Sequence, residues 1–251
     1  MRLTDFKVLS FDCYGTLIDW EAGIYAALGK LLARAQLNLT KDQILEVFAQ
    51  YESRQETTTP DMRYCDLLGK VYEQLAALWH VQVTEVECQC FGNSVTDWPA
   101  FADSPSALQY LKQHYMLVIL SNVDRRSFRG SNARLGVVFD AIYTAEEIGS
   151  YKPSLRNFEY MIRKLEAFGI TKSDILHTAQ SLFHDHVPAN EIGLSSAWID
   201  RRHDVGGWGA TMPPPKQAKY NFRFNSLGMR ADAHRCELGG LSAAASKVFL
   251  K

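Results

Sequence analysis

The chain has 251 residues, of which 47% are hydrophobic, and it carries 27 Lys and Arg residues against 28 Asp and Glu residues. This length can bury one substantial core with a smaller module beside it, so we expect one or two domains. The formal net charge of -1 creates no overall field that would draw the protein to nucleic acid or to an anionic membrane, so we expect a small-molecule partner.

The first half of the chain begins with a strand and continues with helices. The apolar run at 7–11 predicts a buried strand that ends in a polar loop. From Trp20 to Trp98 the apolar residues recur at helical spacing and predict three helices, around 24–32, 44–51 and 67–79. Thr40 and Gln43 form a capping box for the second helix. This stretch is therefore predicted to be a helical insert after the first strand.

The second half alternates strands with helices. Ser104 followed by Pro105 marks a helix start. The pattern then predicts strands at 116–120, 174–178 and 197–200, a helix at 157–168, an edge strand at 221–224 and a helix at 226–237. Such alternation is typical of a parallel sheet with both faces covered, so the predicted fold class is α/β with a Rossmann-like core. Ligands bind such sheets beyond the carboxyl ends of the strands.

Polar residues cluster where these strands end or in the loops that follow. The clusters are Asp12 with Thr16, Ser121 with Asn122, Lys152, and Asp185. A carboxylate that acts as a nucleophile needs a hydroxyl or amide to hold its oxygen and a cation to stabilise the developing charge. Asp12, Thr16 and Lys152 supply these three groups, and Gly15 permits a tight turn beside them. The pattern predicts covalent catalysis by Asp12.

Four segments in chain order resemble the motifs of the haloacid dehalogenase-like superfamily. The first is FDCYGTLID at 11–19, the second is LSN at 120–122, the third is YKP at 151–153, and the fourth is QSLFHD at 180–185. The helical insert falls where that family carries its cap. The resemblance therefore implies a Rossmann-like core formed by 1–18 and 98–251, with a helical cap domain at 19–97.

Two positions distinguish the branches of this family. Its phosphatases place a second aspartate two residues after the nucleophile and begin the fourth motif with Gly-Asp. The acidic residues of both motifs help to hold Mg²⁺. This chain has Tyr14 at the first place and Ala179-Gln180 at the second. It therefore resembles the L-2-haloacid dehalogenase (type II) branch, which implies a metal-free site, no cofactor, and hydrolysis of short 2-haloacids through an aspartyl ester.

The resemblance also assigns roles to individual residues. Asp12 would be the nucleophile and Thr16 would hold its carboxylate, while Lys152 would neutralise charge and Asp185 would orient Lys152 and the hydrolytic water. The predicted substrate-binding residues are Tyr14, Ser121, Asn122 and Ser181. For Tyr14 and also Trp20, packing in the core is an equal alternative. His184 and His186 are interpreted as structural or surface groups.

Three positions depart from the dehalogenase pattern. Ala49 stands at the place of the halide-binding arginine of the cap, with Arg54 and Arg63 out of register; Phe158 replaces a tyrosine, and Leu182 an asparagine. Either the halide pocket is rebuilt or the activity is different. The alternatives are a Mg²⁺-dependent phosphatase and a catalytically silent binding protein on the same fold.

The sequence also bears on location and on the redox state of the cysteines. No apolar run approaches the ~20 residues that span a bilayer, and the N-terminus enters a strand without a signal-like segment, so we predict a cytoplasmic protein. The five cysteines are odd in number and scattered, which argues against a disulfide framework, and Cys88 and Cys90 do not have the spacing of a structural zinc site. The expected partner is a 2-haloacid or a related small acid, with neither nucleic acid nor membrane; a homodimer is left open.

Overall fold

The computed structural model describes the backbone of residues 1–248 and the side chains of residues 1–240. Within these residues, six parallel strands form one sheet in the order β3-β2-β1-β4-β5-β6. The strands are Val8–Phe11 (β1), Met116–Ser121 (β2), Ala141–Thr144 (β3), Ile175–Ala179 (β4), Ser195–Ile199 (β5) and Phe222–Phe224 (β6). The predicted Rossmann-like parallel sheet is confirmed.

Strand β1 lies inside the sheet, between β2 and β4, and all four of its residues are buried, as expected for a parallel strand with both faces covered. Its last residue, Phe11, pairs with Ile119 of β2 on one side and with Thr178 of β4 on the other. The strand order reverses between β1 and β4, and a crevice opens beyond the carboxyl ends of the strands at such a point. The residues that follow β1 and β4 therefore face one crevice.

In the part of the chain that the structure describes, six helices accompany the strands of the sheet. They are Ser104–Leu111 (α5), Arg125–Leu135 (α6), Ala145–Ile148 (α7), Leu155–Glu166 (α8), Val187–Glu191 (α9) and Leu227–Val248 (α10). The prediction of a helix to residue 168 was wrong at its end: Gly169 turns the chain with a φ of 74°, and Phe168 is 71% exposed. Strand β3 and helix α6 were not predicted.

The insert between β1 and α5 consists of helices, as predicted. The cap helices are Trp20–Ala35 (α1), Lys41–Thr58 (α2), Tyr64–Leu78 (α3) and Glu85–Asn93 (α4), and the structure describes this whole segment without a strand. The predicted capping box of Thr40 and Gln43 is present at α2. The unpredicted α4 has the same motif in Thr84 and Glu87, so its start was readable from the sequence.

The two chain segments that join insert and sheet run side by side. The amide of Asp19 donates to the carbonyl of Pro99 over 2.8 Å, and the amide of Phe101 donates to the carbonyl of Leu17 over 3.1 Å. One cluster of buried apolar side chains extends from the sheet into the insert. The division into a core of 1–18 and 98–251 and a cap domain of 19–97 stays a prediction. No helix among the described residues is both long and apolar enough to cross a membrane.

Candidate active site

The four predicted motifs meet at one cavity between the carboxyl edge of the sheet and the cap. It is lined by seven of the eight predicted site residues, namely Asp12, Tyr14, Ser121, Asn122, Lys152, Ser181 and Asp185. The eighth, Thr16, lies directly behind Asp12. The cavity leaves about 30 Å³ of space, which is room for a few atoms of a small ligand.

Both carboxylate oxygens of Asp12 are held. Oδ2 accepts a hydrogen bond of 2.7 Å from Thr16 Oγ1, and Oδ1 accepts one of 2.9 Å from Lys152 Nζ. Thr16 is fixed in turn, because its Oγ1 accepts a bond of 2.9 Å from the amide of Gln180 at the end of β4. The carboxylate is therefore oriented from two sides.

Gly15 allows the nucleophile loop to turn back on itself. Its φ of 88° lies in the left-handed region, and its amide donates to the carbonyl of Ile18 over 2.8 Å. A Cβ at this position would lie 2.9 Å from Nε1 of Trp20. The turn brings the hydroxyl of Thr16 onto the carboxylate of Asp12.

Lys152 is buried between two carboxylates. Its ammonium donates to Asp12 Oδ1 over 2.9 Å, to Asp185 Oδ1 over 2.7 Å and to the carbonyl of Leu120 over 3.0 Å, so all three of its protons are used. Burial alone would lower the pKa of Lys152, but the charges of the two carboxylates outweigh burial and raise it. The side chain is a permanent positive charge beside Asp12.

The two carboxylates differ in their surroundings. Burial, together with the charge of Asp185, raises the pKa of Asp12 despite the opposing charge of Lys152. Burial acts in the same direction on Asp185, but Lys152 and His177 outweigh it and hold the pKa of Asp185 well below its usual range. Asp185 is therefore stabilised as a carboxylate, and Lys152 and Thr16 are the groups that favour the ionised form of Asp12.

Asp185 has one free oxygen. Its Oδ1 also lies 2.9 Å from Nε2 of His177, whereas its Oδ2 is buried without a hydrogen-bond partner. Asp185 stands in a π-helical turn, Leu182–His186, which directs it to the cavity. An unpaired buried acceptor at this place is suited to hold a water or a substrate proton.

Ser121 and Asn122 differ in the hydrogen bonds of their side chains. The side chain of Asn122 donates to Glu56 Oε1 and to the carbonyl of Lys152, both over 3.0 Å, and its Oδ1 accepts from the amide of Lys152 over 2.7 Å. It has no donor left for a substrate and instead positions the loop of Lys152. Ser121 Oγ, at the end of β2, is buried without a partner and is free to bind a ligand.

Tyr14 and Ser181 line the cavity but make their hydrogen bonds within the protein. The hydroxyl of Tyr14 lies 2.9 Å from Ser131 Oγ, and burial raises the pKa of Tyr14 well above its ordinary value, so the ring stays neutral. Ser181 Oγ accepts from the amide of His184 over 2.9 Å and caps the turn that carries Asp185. The substrate roles predicted for both residues stay predictions.

Four residues near the reacting groups were missed in the sequence analysis. Glu52 and Glu56 of α2 and Tyr64 of α3 line the cavity, and His177 of β4 contacts Asp185 from behind. The two glutamates follow Ile44 and Phe48 on the buried face of α2, so helical spacing could have identified them. His184 also lines the cavity, because the π-helical turn directs its ring inward; it is buried and therefore not a surface group, and its structural role stays a prediction.

Another buried histidine, His186, has a structural environment. His186 lies 3.0 Å from the carbonyl of Ala179 through Nε2 and 2.9 Å from Ser196 Oγ through Nδ1. Burial lowers the pKa of His186 to about 4, although the bond to Ala179 acts in the opposite direction. This residue therefore stays neutral and supports the strand ends.

The next question is whether a cap arginine reaches the cavity and could bind a halide. Ala49 is buried, Arg54 is exposed, and Arg63 forms an exposed ion pair of 2.8 Å with Asp66. Among the side chains that the structure describes, no arginine lines the cavity. Neither candidate arginine replaces the missing halide ligand.

The residues at the site do not fit a magnesium ion. Lys152 Nζ occupies the space between Asp12 and Asp185, and the hydroxyl of Tyr14 turns away to Ser131. Gln180 brings no charge. Within the described part of the chain, no group of three or more His, Cys, Asp or Glu side chains is arranged to hold a metal ion.

Comparison with known proteins gives one family and a set of similar folds. A model of haloacid dehalogenase-like hydrolases matches residues 6–178. Comparison with curated protein sequences gives no match. The solved structure of a defluorinating L-2-haloacid dehalogenase is similar, with a TM-score of 0.75 and 18% identity, over 94% of this chain and 99% of the other.

Two further solved structures have the same fold. The L-2-haloacid dehalogenase of Xanthobacter autotrophicus with covalently bound chloropropionic acid has a TM-score of 0.73 at 17% identity, over 92% of this chain and 98% of that one. The HAD-hydrolase YfnB of Bacillus subtilis, bound to magnesium, has a TM-score of 0.70 at 16% identity, over 91% of this chain and 97% of the other. The similar structures include both a dehalogenase and a magnesium-bound hydrolase. The similarity therefore shows the fold but does not identify the reaction.

Proposed function

Because this chain belongs to the haloacid dehalogenase-like hydrolases, whose model matches more than half of it, we propose that it is a metal-independent dehalogenase of short 2-haloacids. One observation carries the proposal: the carboxylate of Asp12 is held by Thr16 and Lys152 and faces a small cavity. An oriented carboxylate with a raised pKa, beside a fixed positive charge, is suited to attack a carbon atom.

The proposed reaction has two steps. An oxygen of Asp12 attacks the carbon that bears the halogen, the carbon–halogen bond breaks, and the halide leaves with its electron pair. Water then attacks the carbonyl carbon of the Asp12 ester, which releases a 2-hydroxy acid and a proton and restores Asp12. The overall change is haloacid plus water to hydroxy acid, halide and a proton.

The surrounding side chains support each step by position. Lys152 offsets the charge on Asp12 and stabilises the oxyanion that forms when water attacks the ester. The free Oδ2 of Asp185 is placed to accept a hydrogen bond from that water and so to orient it. Ser121 Oγ is the available hydroxyl donor for the substrate carboxylate.

Independence from metal is part of the same proposal. A 2-haloacid brings a single negative charge, in contrast to a phosphate ester, so the repulsion that Mg²⁺ offsets in a phosphatase is smaller. The charge of Lys152 already lies within hydrogen-bond distance of Asp12. A cytoplasmic location and a homodimer both stay predictions.

A single turnover in ¹⁸O-water tests the covalent route. With enzyme in excess over substrate, the first product should carry unlabelled oxygen, and the peptide that contains Asp12 should become heavier. Asp12→Asn is the matched variant and should form no ester. Direct entry of ¹⁸O into the product of the wild-type enzyme would mean that water attacks the substrate itself.

A further inference from the structure

The cap closes the cavity with two carboxyl groups. Glu52 and Glu56 stand one turn apart on α2, are only 3% and 6% exposed, and both line the cavity. Glu52 Oε1 accepts a hydrogen bond of 2.5 Å from the hydroxyl of Tyr64. Glu56 Oε1 accepts one of 3.0 Å from Asn122, and its Oε2 lies 3.6 Å from Nε2 of His184. We call Glu52 and Glu56 the cap carboxylate pair.

The positive charge of Lys152 does not reach this pair. All three protons of Lys152 are used by Asp12, Asp185 and a backbone carbonyl. The cavity is thus lined by four carboxyl residues and one lysine, and that lysine is bound to the two aspartates. A substrate with only a carboxylate would add a further negative charge beneath the cap.

Unpaired polar atoms in the same cavity indicate that a polar ligand belongs there. Ser121 Oγ and His184 Nε2 are buried without hydrogen-bond partners. Ser121 lies at the end of β2, and His184 lies beside the cap carboxylate pair. A ligand with an anionic end towards Ser121 and a cationic end towards the pair would satisfy both ends.

We propose that the cap carboxylate pair binds a protonated amine of the substrate, so that the preferred haloacid is zwitterionic. The inference rests on the proposed dehalogenase function. In this arrangement the carboxylate of the substrate lies at Ser121 and its halogen-bearing carbon at Asp12, with the ammonium group between Glu52 and Glu56. An ammonium, which donates three hydrogen bonds from a single atom, suits the small space.

The electrostatic surroundings of the pair agree with this assignment. Burial, together with the charge of Glu56, raises the pKa of Glu52 well above its ordinary value, while Tyr64 lowers it. Negative charge on both members of the pair is therefore unfavourable in these surroundings. The positive charge of a bound ammonium would offset this repulsion.

A matched pair of substrates tests the proposal. 2-Chlorobutanoate and its analogue with an ammonium group in place of the terminal methyl group have the same reacting carbon and nearly the same shape. The wild-type enzyme should prefer the ammonium analogue by about tenfold or more in kcat/KM. In Glu52→Gln and Glu56→Gln this ratio should fall, and in the double variant it should reach one or less.

Glu46→Gln is the control, because Glu46 is an exposed residue of the same helix. It should leave the ratio unchanged. The ratio of two substrates in one preparation does not depend on the fraction of folded enzyme, so a loss of stability in a variant does not obscure it. A wild-type preference for 2-chlorobutanoate, or a ratio that both glutamine variants leave unchanged, would overturn the proposal.

Binding separates this inference from the proposed function. Isothermal titration with β-alanine and with butanoate, which carry no leaving group, measures the same preference without turnover. If neither chlorinated acid reacts, the dehalogenase proposal fails, and the binding ratio decides the inference. Preference for β-alanine that the glutamine variants lose would support the ammonium site, and equal or weaker binding of β-alanine than of butanoate would refute it.

Discussion

His177 Nε2 lies 2.9 Å from Asp185 Oδ1, the same oxygen that accepts a hydrogen bond of 2.7 Å from Lys152. The other ring nitrogen of His177 lies 2.9 Å from Ser10 Oγ on β1. The ring is therefore fixed between Ser10 and Asp185, and it holds one oxygen of Asp185 while the other stays without a hydrogen-bond partner. His177 acts as a positioning residue.

His177→Phe should slow the second step of the proposed reaction. Without its bond to His177, Asp185 is free to turn away from the water, so hydrolysis of the Asp12 ester should become roughly ten- to a hundredfold slower. Intact-protein mass spectrometry should then detect accumulated ester. His177→Gln, which retains a nitrogen donor, should restore much of the rate. Equal slowing of ester formation and ester hydrolysis would indicate a merely structural role.

Lys152→Met should abolish most of the activity. Its removal withdraws the charge beside Asp12 and should lower kcat/KM by on the order of 10²–10³-fold. It also leaves two buried carboxylates unpaired and should lower the free energy of unfolding by about 3–5 kcal/mol, so circular dichroism must verify the fold at the assay temperature. Lys172→Met, at an exposed lysine, is the control and should behave as wild type.

Removal of divalent metal should leave the wild-type rate unchanged, because Lys152 already supplies the positive charge beside Asp12. Assays in EDTA and with added Mg²⁺ measure this directly, and Mg²⁺ should not rescue Lys152→Met. If EDTA stops turnover and Mg²⁺ restores it, the metal-independent mechanism is wrong and a phosphatase activity has to be tested.

Replacement by alanine should have opposite effects on stability at two glycines of α1. Gly23 is buried, and a Cβ there would overlap the ring of Trp98, so Gly23→Ala should destabilise the protein by about 1–3 kcal/mol. Gly29 is exposed with nothing within 4 Å, so Gly29→Ala should stabilise it by about 0.5–1 kcal/mol. Urea unfolding of both variants measures the difference, and the same sign for both would contradict this packing of α1.

His186 should make stability depend on pH. Its pKa is lowered by burial from 6.5 to about 4, so between these values the unfolded chain binds a proton that the folded protein does not. The contribution of His186 to the free energy of unfolding is therefore fully present above pH 6.5 and is lost as the pH falls to about 4. The loss amounts to about 3 kcal/mol.

Replacement of the titrating ring tests this assignment. In His186→Asn the free energy of unfolding should change less steeply between pH 6.5 and pH 4 than in the wild type, whatever its absolute value. Urea titrations at a series of pH values measure the two slopes. Identical slopes would assign the pH dependence to other groups.

The sequence by itself determined the fold class and the order of the reacting groups. Strand and helix periods are local properties, so the parallel sheet, the helical insert and the polar strand ends were predictable. Because parallel strands bring their carboxyl ends to one edge, Asp12, Ser121 and Asp185 could be expected to lie close together. The helix boundaries were less accurate, as at Phe168, because a single glycine decided where the helix ended.

Only the tertiary structure decided what surrounds these groups. Helical spacing assigned Glu52 and Glu56 to the buried face of α2, but the docking of the cap determined that this face covers Asp12. Likewise, the loop of Lys152 determined that the amide of Asn122 is occupied. Hydrogen-bond partners and charges from distant segments combine only after folding, so local patterns indicated the nucleophile but not the chemistry of its surroundings.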